Sequence, residues 1–153
     1  MKKFRWLTPA EDRAWRGYRR MRTLLDLQIS RDMARSSGLS DADYDILSTL
    51  TEREGTPWRA NELAARLLWS TSRLAHQLGR MERRQLIVRE TYEGDRRGAL
   101  VSLTAAGLAT LEAAATPHVE SVRHHFIDLL TPEEIESLAR ISQKVIDHLS
   151  STT

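Results

Sequence analysis

Polar and basic side chains recur at helical spacing between Ser70 and Arg84, and their types suit the recognition of a polyanion. Arginine can hydrogen-bond guanine, and glutamine adenine, at base-pair edges in the major groove, while hydroxyl groups at a helix N-terminus can bond phosphates. The spacing predicts a helix that reads duplex DNA, with phosphate contacts from Ser70, Thr71 and Ser72, an exposed face of Arg73, His76, Gln77, Arg80 and Arg84, and an apolar face of Leu74, Leu78 and Met81.

An exposed arginine-rich helix that binds nothing is the competing interpretation, and the segment after the helix argues against it. Residues 86–88 and 100–103 have strand composition, and the charged, glycine-containing connection between them predicts a β-hairpin. Arg96 and Arg97 at its tip are predicted to enter a minor groove, where the negative potential is deepened. Asp95 is predicted to pair with a neighbouring arginine and to fix the shape of this wing.

In these segments the chain resembles the MarR family of bacterial winged helix-turn-helix regulators. The resemblance rests on Leu63-Ala64-Ala65-Arg66-Leu67, Ser70-Thr71-Ser72-Arg73-Leu74, Arg80-Met81-Glu82, Asp95-Arg96-Arg97 and Leu103-Thr104-Ala105-Ala106-Gly107. It implies a homodimer that binds DNA, with Arg97 as the minor-groove arginine and Asp95 as its organiser. It also implies recognition-helix contacts from Ser72, Arg73, His76, Gln77 and Arg80.

One position departs from the family pattern. Gln85 lies where the family often has a glycine that ends the recognition helix. Glutamine adopts the left-handed conformation of such an ending less easily than glycine does. At this position the sequence therefore favours a left-handed helix ending less than the family pattern does.

The flanking segments predict further helices with clear starting points. Thr8-Pro9-Ala10-Glu11 and Thr131-Pro132-Glu133-Glu134 each place Thr at the N-cap, Pro at the first helical position and Glu at the third. Pro117 is expected to bend or divide a long helix that Thr104 begins. The predicted fold is mainly α with a small β-hairpin wing (α+β): one domain over 1–153, with a DNA-reading winged helix-turn-helix core at 40–103 and dimerisation helices at 8–36 and 104–150.

Composition fits this class of protein. The 153 residues carry a net charge of +2, and eight basic against four acidic residues lie between Arg66 and Arg97. The absence of cysteine excludes a disulfide framework and a thiol switch. The N-terminal residues are not followed by an apolar run of signal-peptide or membrane-spanning length, so we expect a cytoplasmic, nucleoid-associated protein without a membrane partner.

The function predicted from these features is a homodimeric repressor that binds a pseudo-palindromic operator and uses no cofactor, metal or catalytic residue. Trp15, Tyr18, Tyr44 and Trp58 are the candidates for a pocket that takes a small aromatic effector. Two alternatives remain open at this point. One is a winged-helix module for protein or RNA contacts, and the other is a small metal-binding protein or hydrolase that uses His118, His124 and His125.

Overall fold

The computed structural model describes residues 4–53, 55–91 and 98–151, and they pack into two compact units. The first unit contains the chain up to Ile29 and from Val119 onward, and the second contains Ser30–His118. The elements in chain order are α1 (Pro9–Ser37), α2 (Asp41–Leu50), β1 (Trp58–Arg59), α3 (Ala60–Leu67), α4 (Thr71–Arg83), β2 (Ile87–Thr91), β3 (Ala99–Leu103), α5 (Ala105–His125), a short 3-10 helix (Ile127–Leu129) and α6 (Pro132–Ser150).

The second unit contains α2, α3, α4, the end of α1 and most of α5, together with a small antiparallel sheet. The strands lie in the order β1-β3-β2, with Ile87 opposite Leu103 and Thr91 opposite Ala99. The two predicted hairpin strands are therefore confirmed, and β1 adds a two-residue third strand at Trp58. The connection that would form the tip of the wing, including Asp95, Arg96 and Arg97, lies outside the described residues.

A single apolar cluster holds α4 against the rest of the second unit. The inward face of α4 is apolar because Leu74, Leu78 and Met81 recur at three- and four-residue spacing, as predicted. These side chains are fully buried in one cluster with Ile46 and Leu47 of α2, Leu63 of α3, Ile87 of β2 and Val101 of β3. Burial of this face fixes the rotation of α4 about its axis and so decides which side chains remain exposed.

Both α3 and α4 end in a Schellman motif on a residue other than glycine. At the end of α3, Leu68 has φ 55° and its neighbour Trp69 donates a backbone hydrogen bond to the Ala64 carbonyl. At the end of α4, Gln85 has φ 59° and Leu86 donates to the Met81 carbonyl. Gln85 thus adopts the left-handed conformation despite lacking the freedom of glycine.

The start of α5 lies directly against the backbone that follows α4. Thr104 donates its backbone N–H to the Leu86 carbonyl at 3.2 Å and its hydroxyl to the Gln85 carbonyl at 2.6 Å. A Cβ atom on Gly107 would lie 2.0 Å from the Leu86 carbonyl oxygen. The Leu-Thr-x-x-Gly segment is therefore explained by close backbone packing, which leaves no room for a side chain at Gly107.

The first unit contains the helices predicted on either side of the core. The capping boxes are present, since Thr8 exchanges hydrogen bonds with Glu11 at the start of α1, as Thr131 does with Glu134 at the start of α6. The backbone hydrogen bond from Thr8 is the main cause that lowers the pKa of Glu11. Pro117 was expected to bend or divide the helix, and it does not divide it, because α5 is continuous from Ala105 to His125. Among the described residues no helix combines the length and apolarity needed to cross a bilayer.

Candidate nucleic-acid interface

The N-terminal turn of α4 presents three hydroxyl side chains. Ser70 is the N-cap, and its hydroxyl accepts the backbone N–H of Arg73 at 3.2 Å. Thr71 and Ser72 follow in the first turn and are exposed. A helix N-terminus with free amides and hydroxyl groups has the polarity that a phosphate requires, so the structure brings these three predicted residues together at one end of α4.

The exposed face of α4 is basic. Arg73, His76 and Arg80 are exposed and lie three or four residues apart, so they share one side of the helix as predicted. Arg83 is exposed three residues after Arg80 and extends the same face. Sequence reasoning missed Arg83, although its seven-residue spacing from His76 was a signal for it.

Arg73 lies over an aromatic ring from the helix-turn-helix turn. Its guanidinium carbon is 3.9 Å from the centroid of the Trp69 ring, within the range of a cation–π contact. The adjoining Leu68 is 92% exposed in the same turn. Stacking on Trp69 restricts the Arg73 side chain to one side of the turn while its N–H donors remain at the surface.

The predicted position of Gln77 on the exposed face is wrong. Its side chain is only 4% exposed, and its amide nitrogen donates to Asp43 Oδ1 at 2.7 Å. Its amide oxygen accepts a hydrogen bond from the Arg80 guanidinium. The apolar cluster turns Gln77 inward, because its direction on the helix lies between the basic stripe and the buried stripe.

The Arg84 side chain also forms hydrogen bonds within the protein, although the sequence predicted it on the DNA-contacting face. Its guanidinium donates to Asp43 Oδ2 at 2.7 Å and to the Gly38 carbonyl at 3.3 Å. Burial by itself would raise the pKa of Asp43, but the hydrogen bonds from Arg84 and Ser40 and the charge of Arg84 outweigh it and lower that pKa. Asp43 therefore acts as a charged carboxylate that accepts hydrogen bonds from Gln77 and Arg84 on one side of α4. This residue was not identified from the sequence.

Nearby carboxylates are largely paired with arginines outside the basic face. Glu82 bonds Arg89 at 2.6 Å, and the hydrogen bond from Arg89 is the first cause that lowers the pKa of Glu82. Glu52 pairs with Arg66 through two hydrogen bonds. Asp45 differs, because desolvation and the Asp41 charge raise its pKa against the opposing charges of Arg73 and His118. The pairing leaves Arg73, Arg80 and Arg83 as a concentrated positive surface.

The four aromatic candidates for an effector pocket fall in different units. Trp15 and Tyr18 are stacked, with centroids 6.0 Å apart, on the exposed side of α1 in the first unit. In the second unit, Trp58 is 4% exposed beneath the Arg53 guanidinium, and Tyr44 packs against His118. Trp58 is thus a core residue, and of the four candidates only Trp15 and Tyr18 present large aromatic surfaces to solvent.

The histidine cluster does not gather the ligands that a metal needs. His124 and His125 touch each other, with ring centroids 4.8 Å apart, and His118 contacts Tyr44 instead. Within the described parts of the chain, no group of three or more His, Cys, Asp or Glu residues could hold a metal ion. The metal-binding alternative therefore has no supporting geometry.

A helix-turn-helix with a three-stranded sheet at its side and a basic second helix defines the winged-helix class of regulators. Residues 37–98 match the MarR family model. AbsC of Streptomyces coelicolor, a MarR family transcriptional regulator, is 43% identical over 97% of this chain and 99% of its own, with a TM-score of 0.87. The chain belongs to the MarR family of transcriptional regulators.

Two further relatives agree with this assignment. Sco3205 of Streptomyces coelicolor, solved in complex with DNA, is 35% identical, covers 97% of this chain and 93% of its own, and superposes with a TM-score of 0.89. The transcriptional regulator PecS of Dickeya dadantii is 31% identical over 135 residues, which is 85% of this chain and 78% of PecS. These relatives are named as regulators and not as enzymes, so the hydrolase alternative is set aside.

Proposed function

We propose that this protein is a sequence-specific repressor that binds a pseudo-palindromic DNA operator as a homodimer. The observation that carries the proposal is the basic face of α4, where Arg73, His76, Arg80 and Arg83 are exposed. The nearby Asp43 and Glu82 carboxylates are paired with Arg84 and Arg89. An unbalanced positive helix on a winged-helix scaffold fits the negative major groove. The structure of the relative Sco3205 with DNA supports the same function.

Each side chain of the interface has a proposed role. Arg73, His76 and Arg80 contact base edges, while Ser70, Thr71 and Ser72 contact phosphates at the N-terminus of α4. The wing residues Asp95, Arg96 and Arg97, which lie outside the described residues, are proposed to reach the minor groove. Gln77 and Arg84 are assigned to the support of α4 and not to direct contacts, because both are engaged by Asp43.

The exposed apolar faces of the first unit support the homodimer. Trp15, Tyr18, Met21 and Leu24 are exposed on α1, and α6 exposes Ile141, Val145 and Leu149 at four-residue spacing. Large exposed apolar patches normally mark surfaces that a partner covers. A two-fold symmetric pair of chains would present two copies of α4, which would read inverted half-sites about one helical turn apart.

An aromatic effector is proposed to release the operator. A cavity of about 470 Å³ in the first unit is lined by Met21, Leu24, Leu25, Gln28, His125, Phe126, Leu129 and Leu130. Its apolar lining suits an aromatic ring. Trp15 and Tyr18 are not part of this lining, but Tyr18 lies one helical turn before Met21 on α1. A ligand that binds more tightly to a dimer whose two recognition helices do not match the spacing of the operator half-sites would lower operator occupancy.

The proposed function is tested by incubating the purified protein with fragmented genomic DNA and sequencing the retained fragments. We expect enrichment of an inverted repeat, to which Arg73→Ala binds about 1–3 kcal/mol per half-site more weakly. Arg20→Ala, which removes an exposed cation from α1, is the matched control and should bind as the wild type does. Retention of random sequences alone would contradict sequence-specific binding.

The effector and the cellular setting need separate measurements. Titration of the protein–operator complex with salicylate-like aromatic acids should release the DNA, and Trp15→Ala or Tyr18→Ala should weaken that release. Release that is unaffected by both substitutions would exclude this pair from the ligand site.

We further propose that the protein acts in the cytoplasm on the nucleoid. Repression is then measured as increased expression of the genes beside the operator when the protein is removed.

A further inference from the structure

Gln77 connects a buried carboxylate to an exposed arginine. Its side chain spans from Asp43, which is 2% exposed, to the guanidinium of Arg80 on the basic face of α4. Both the nitrogen and the oxygen of the Gln77 amide are therefore hydrogen-bonded within the protein. A glutamine in this arrangement cannot read a base through the same atoms, so its part in DNA recognition has to be exerted through Arg80.

The position of Asp43 is fixed by contacts other than its hydrogen bond to Gln77. Asp43 is the third residue of the α2 capping box, in which its carboxylate accepts the Ser40 N–H at 3.0 Å and its own N–H donates to the Ser40 hydroxyl at 3.1 Å. Arg84 Nη1 donates to the same carboxylate at 2.7 Å. The carboxylate is thus anchored by α2 and the end of α4 before any contact with DNA.

The charge on Asp43 decides which way the Gln77 amide faces. An ionised carboxylate accepts hydrogen bonds and donates none, so only the NH₂ end of the amide can satisfy it. The carbonyl end is left facing Arg80, where a guanidinium donor satisfies it. The orientation of the amide thus follows from chemistry, and with it the presence of an acceptor that holds Arg80.

One hydrogen bond to Gln77 leaves most of the Arg80 donors available. A guanidinium carries five N–H donors in a rigid plane, and paired hydrogen bonds to guanine require that plane to be correctly oriented. Restricting the plane before binding reduces the ordering that recognition requires. Arg73 is oriented differently, by its stacking on the Trp69 ring.

We propose that Asp43 and Gln77 are positioning residues that orient Arg80 toward a guanine edge in the major groove. The inference rests on the proposed function, because it assumes that α4 reads the operator. It makes the base preference at one position per half-site depend on a side chain in α2 that does not contact DNA.

A double-mutant cycle on the full-length protein tests this linkage. The variants are Gln77→Met, which keeps the length of the side chain but not its polar end, Arg80→Ala, and the two combined. Affinity is measured for the selected operator, for an operator with the contacted guanine replaced, and for unrelated DNA, all at one salt concentration. We expect Gln77→Met to weaken operator binding by about fivefold or more and to leave binding to unrelated DNA unchanged.

The cycle separates positioning from a general effect on folding. In the Arg80→Ala background, Gln77→Met should have no further effect on operator affinity, whereas in the Arg73→Ala background its full effect should persist. The preference for guanine at the contacted position should fall in the single Gln77→Met variant. Gln77→Asn, which retains an amide but is too short to bridge, provides a second variant and should repeat the result.

Three outcomes would overturn the proposal. The first is an equal loss of affinity from Gln77→Met with and without Arg80, which would make Gln77 a purely structural residue. The second is an Arg80→Ala protein with unchanged operator affinity while Arg73→Ala is weakened, which refutes this inference but leaves DNA reading by α4 intact. The third is a wild-type protein that retains no specific DNA, which refutes the proposed function and this inference with it.

Discussion

At the residue scale, the Asp43 carboxylate holds a negative charge inside the second unit because three donors surround it. They are the Ser40 backbone N–H, the Gln77 amide and the Arg84 guanidinium. Burial opposes the charged form of Asp43, yet the hydrogen bonds with Arg84 and Ser40 and the charge of Arg84 outweigh it and lower the pKa of Asp43. The folded protein therefore binds a proton at Asp43 less readily than the unfolded chain does.

This shift predicts a defined pH dependence of stability. Because the folded pKa lies below the unfolded value, the stabilising contribution is fully present above about pH 4–5 and is lost as the pH falls through the folded pKa. Asp43→Asn removes this contribution at neutral pH. We expect the difference in free energy of unfolding between wild type and Asp43→Asn, measured with urea at fixed protein concentration, to shrink below about pH 4. A difference independent of pH would contradict the assignment.

Arg84 is predicted to contribute to the free energy of unfolding and not to contact DNA directly. Arg84→Ala leaves Asp43 with two donors and should lower the free energy of unfolding by about 1–2 kcal/mol, a value reduced for the partial exposure of Arg84. Arg83→Ala, one residue earlier on the exposed face, is the matched control and should stay within about 0.5 kcal/mol of wild type. Equal urea midpoints for the two variants would show that the Asp43–Arg84 pair contributes nothing.

At the element scale, the contact between α5 and the end of α4 depends on Gly107. Gly107→Ala places a Cβ atom against the Leu86 carbonyl oxygen, which is backbone and cannot rotate away. We expect a loss of at least about 2 kcal/mol in the free energy of unfolding. Gly79→Ala is the control, because its Cβ would meet no atom within 4 Å. That variant should be as stable as wild type or up to about 1 kcal/mol more stable.

The end of α4 is held in a conformation that its sequence does not favour. Gln85 has φ 59°, a region where a residue with a Cβ is disfavoured relative to glycine. Gln85→Gly should therefore raise the free energy of unfolding by about 0.5–1 kcal/mol. Ala75→Gly, at an exposed position in the interior of α4, should lower it by about 1 kcal/mol. If both variants lost the same free energy of unfolding, the Gln85 side chain would stabilise the fold by more than its left-handed backbone conformation destabilises it.

At the scale of the whole molecule, the exposed apolar side chains of the first unit predict that two chains associate as a dimer. In a monomer, Val145→Glu would remove exposed apolar surface at little cost, whereas in a dimer it would bury an unpaired carboxylate. We expect sedimentation analysis to show monomers of this variant. Operator affinity should fall by at least about tenfold, because a single recognition helix has few phosphate contacts.

The control for this experiment adds the same charge to the opposite side of α6. Gln143 is exposed on the polar side of the helix, where its amide donates to Asp147 at 2.7 Å. Gln143→Glu should sediment and bind the operator as wild type does. If Val145→Glu also remained dimeric with unchanged affinity, the α6 face would be excluded from the interface between chains.

The sequence alone determined the class of fold and the identity of most exposed residues on α4. The apolar period in α4, the capping boxes at Thr8 and Thr131 and the strand composition around the wing are local signals, and local signals are encoded at fixed spacing along the chain. Spacing therefore placed Arg73, His76 and Arg80 correctly on one face. The family resemblance also included Gly107, although the reason for a glycine there was not visible in the sequence.

Only the tertiary structure decided the roles of Gln77 and Arg84. Both lie at the edge of the basic stripe, where helical spacing cannot tell an exposed side chain from one turned inward. The deciding partner, Asp43, is 34 residues before Gln77 in the chain and reaches it only because α2 and α4 pack into one apolar cluster. Hydrogen bonds between distant segments depend on that packing, so no periodicity within α4 could have predicted that its glutamine supports an arginine instead of reading a base.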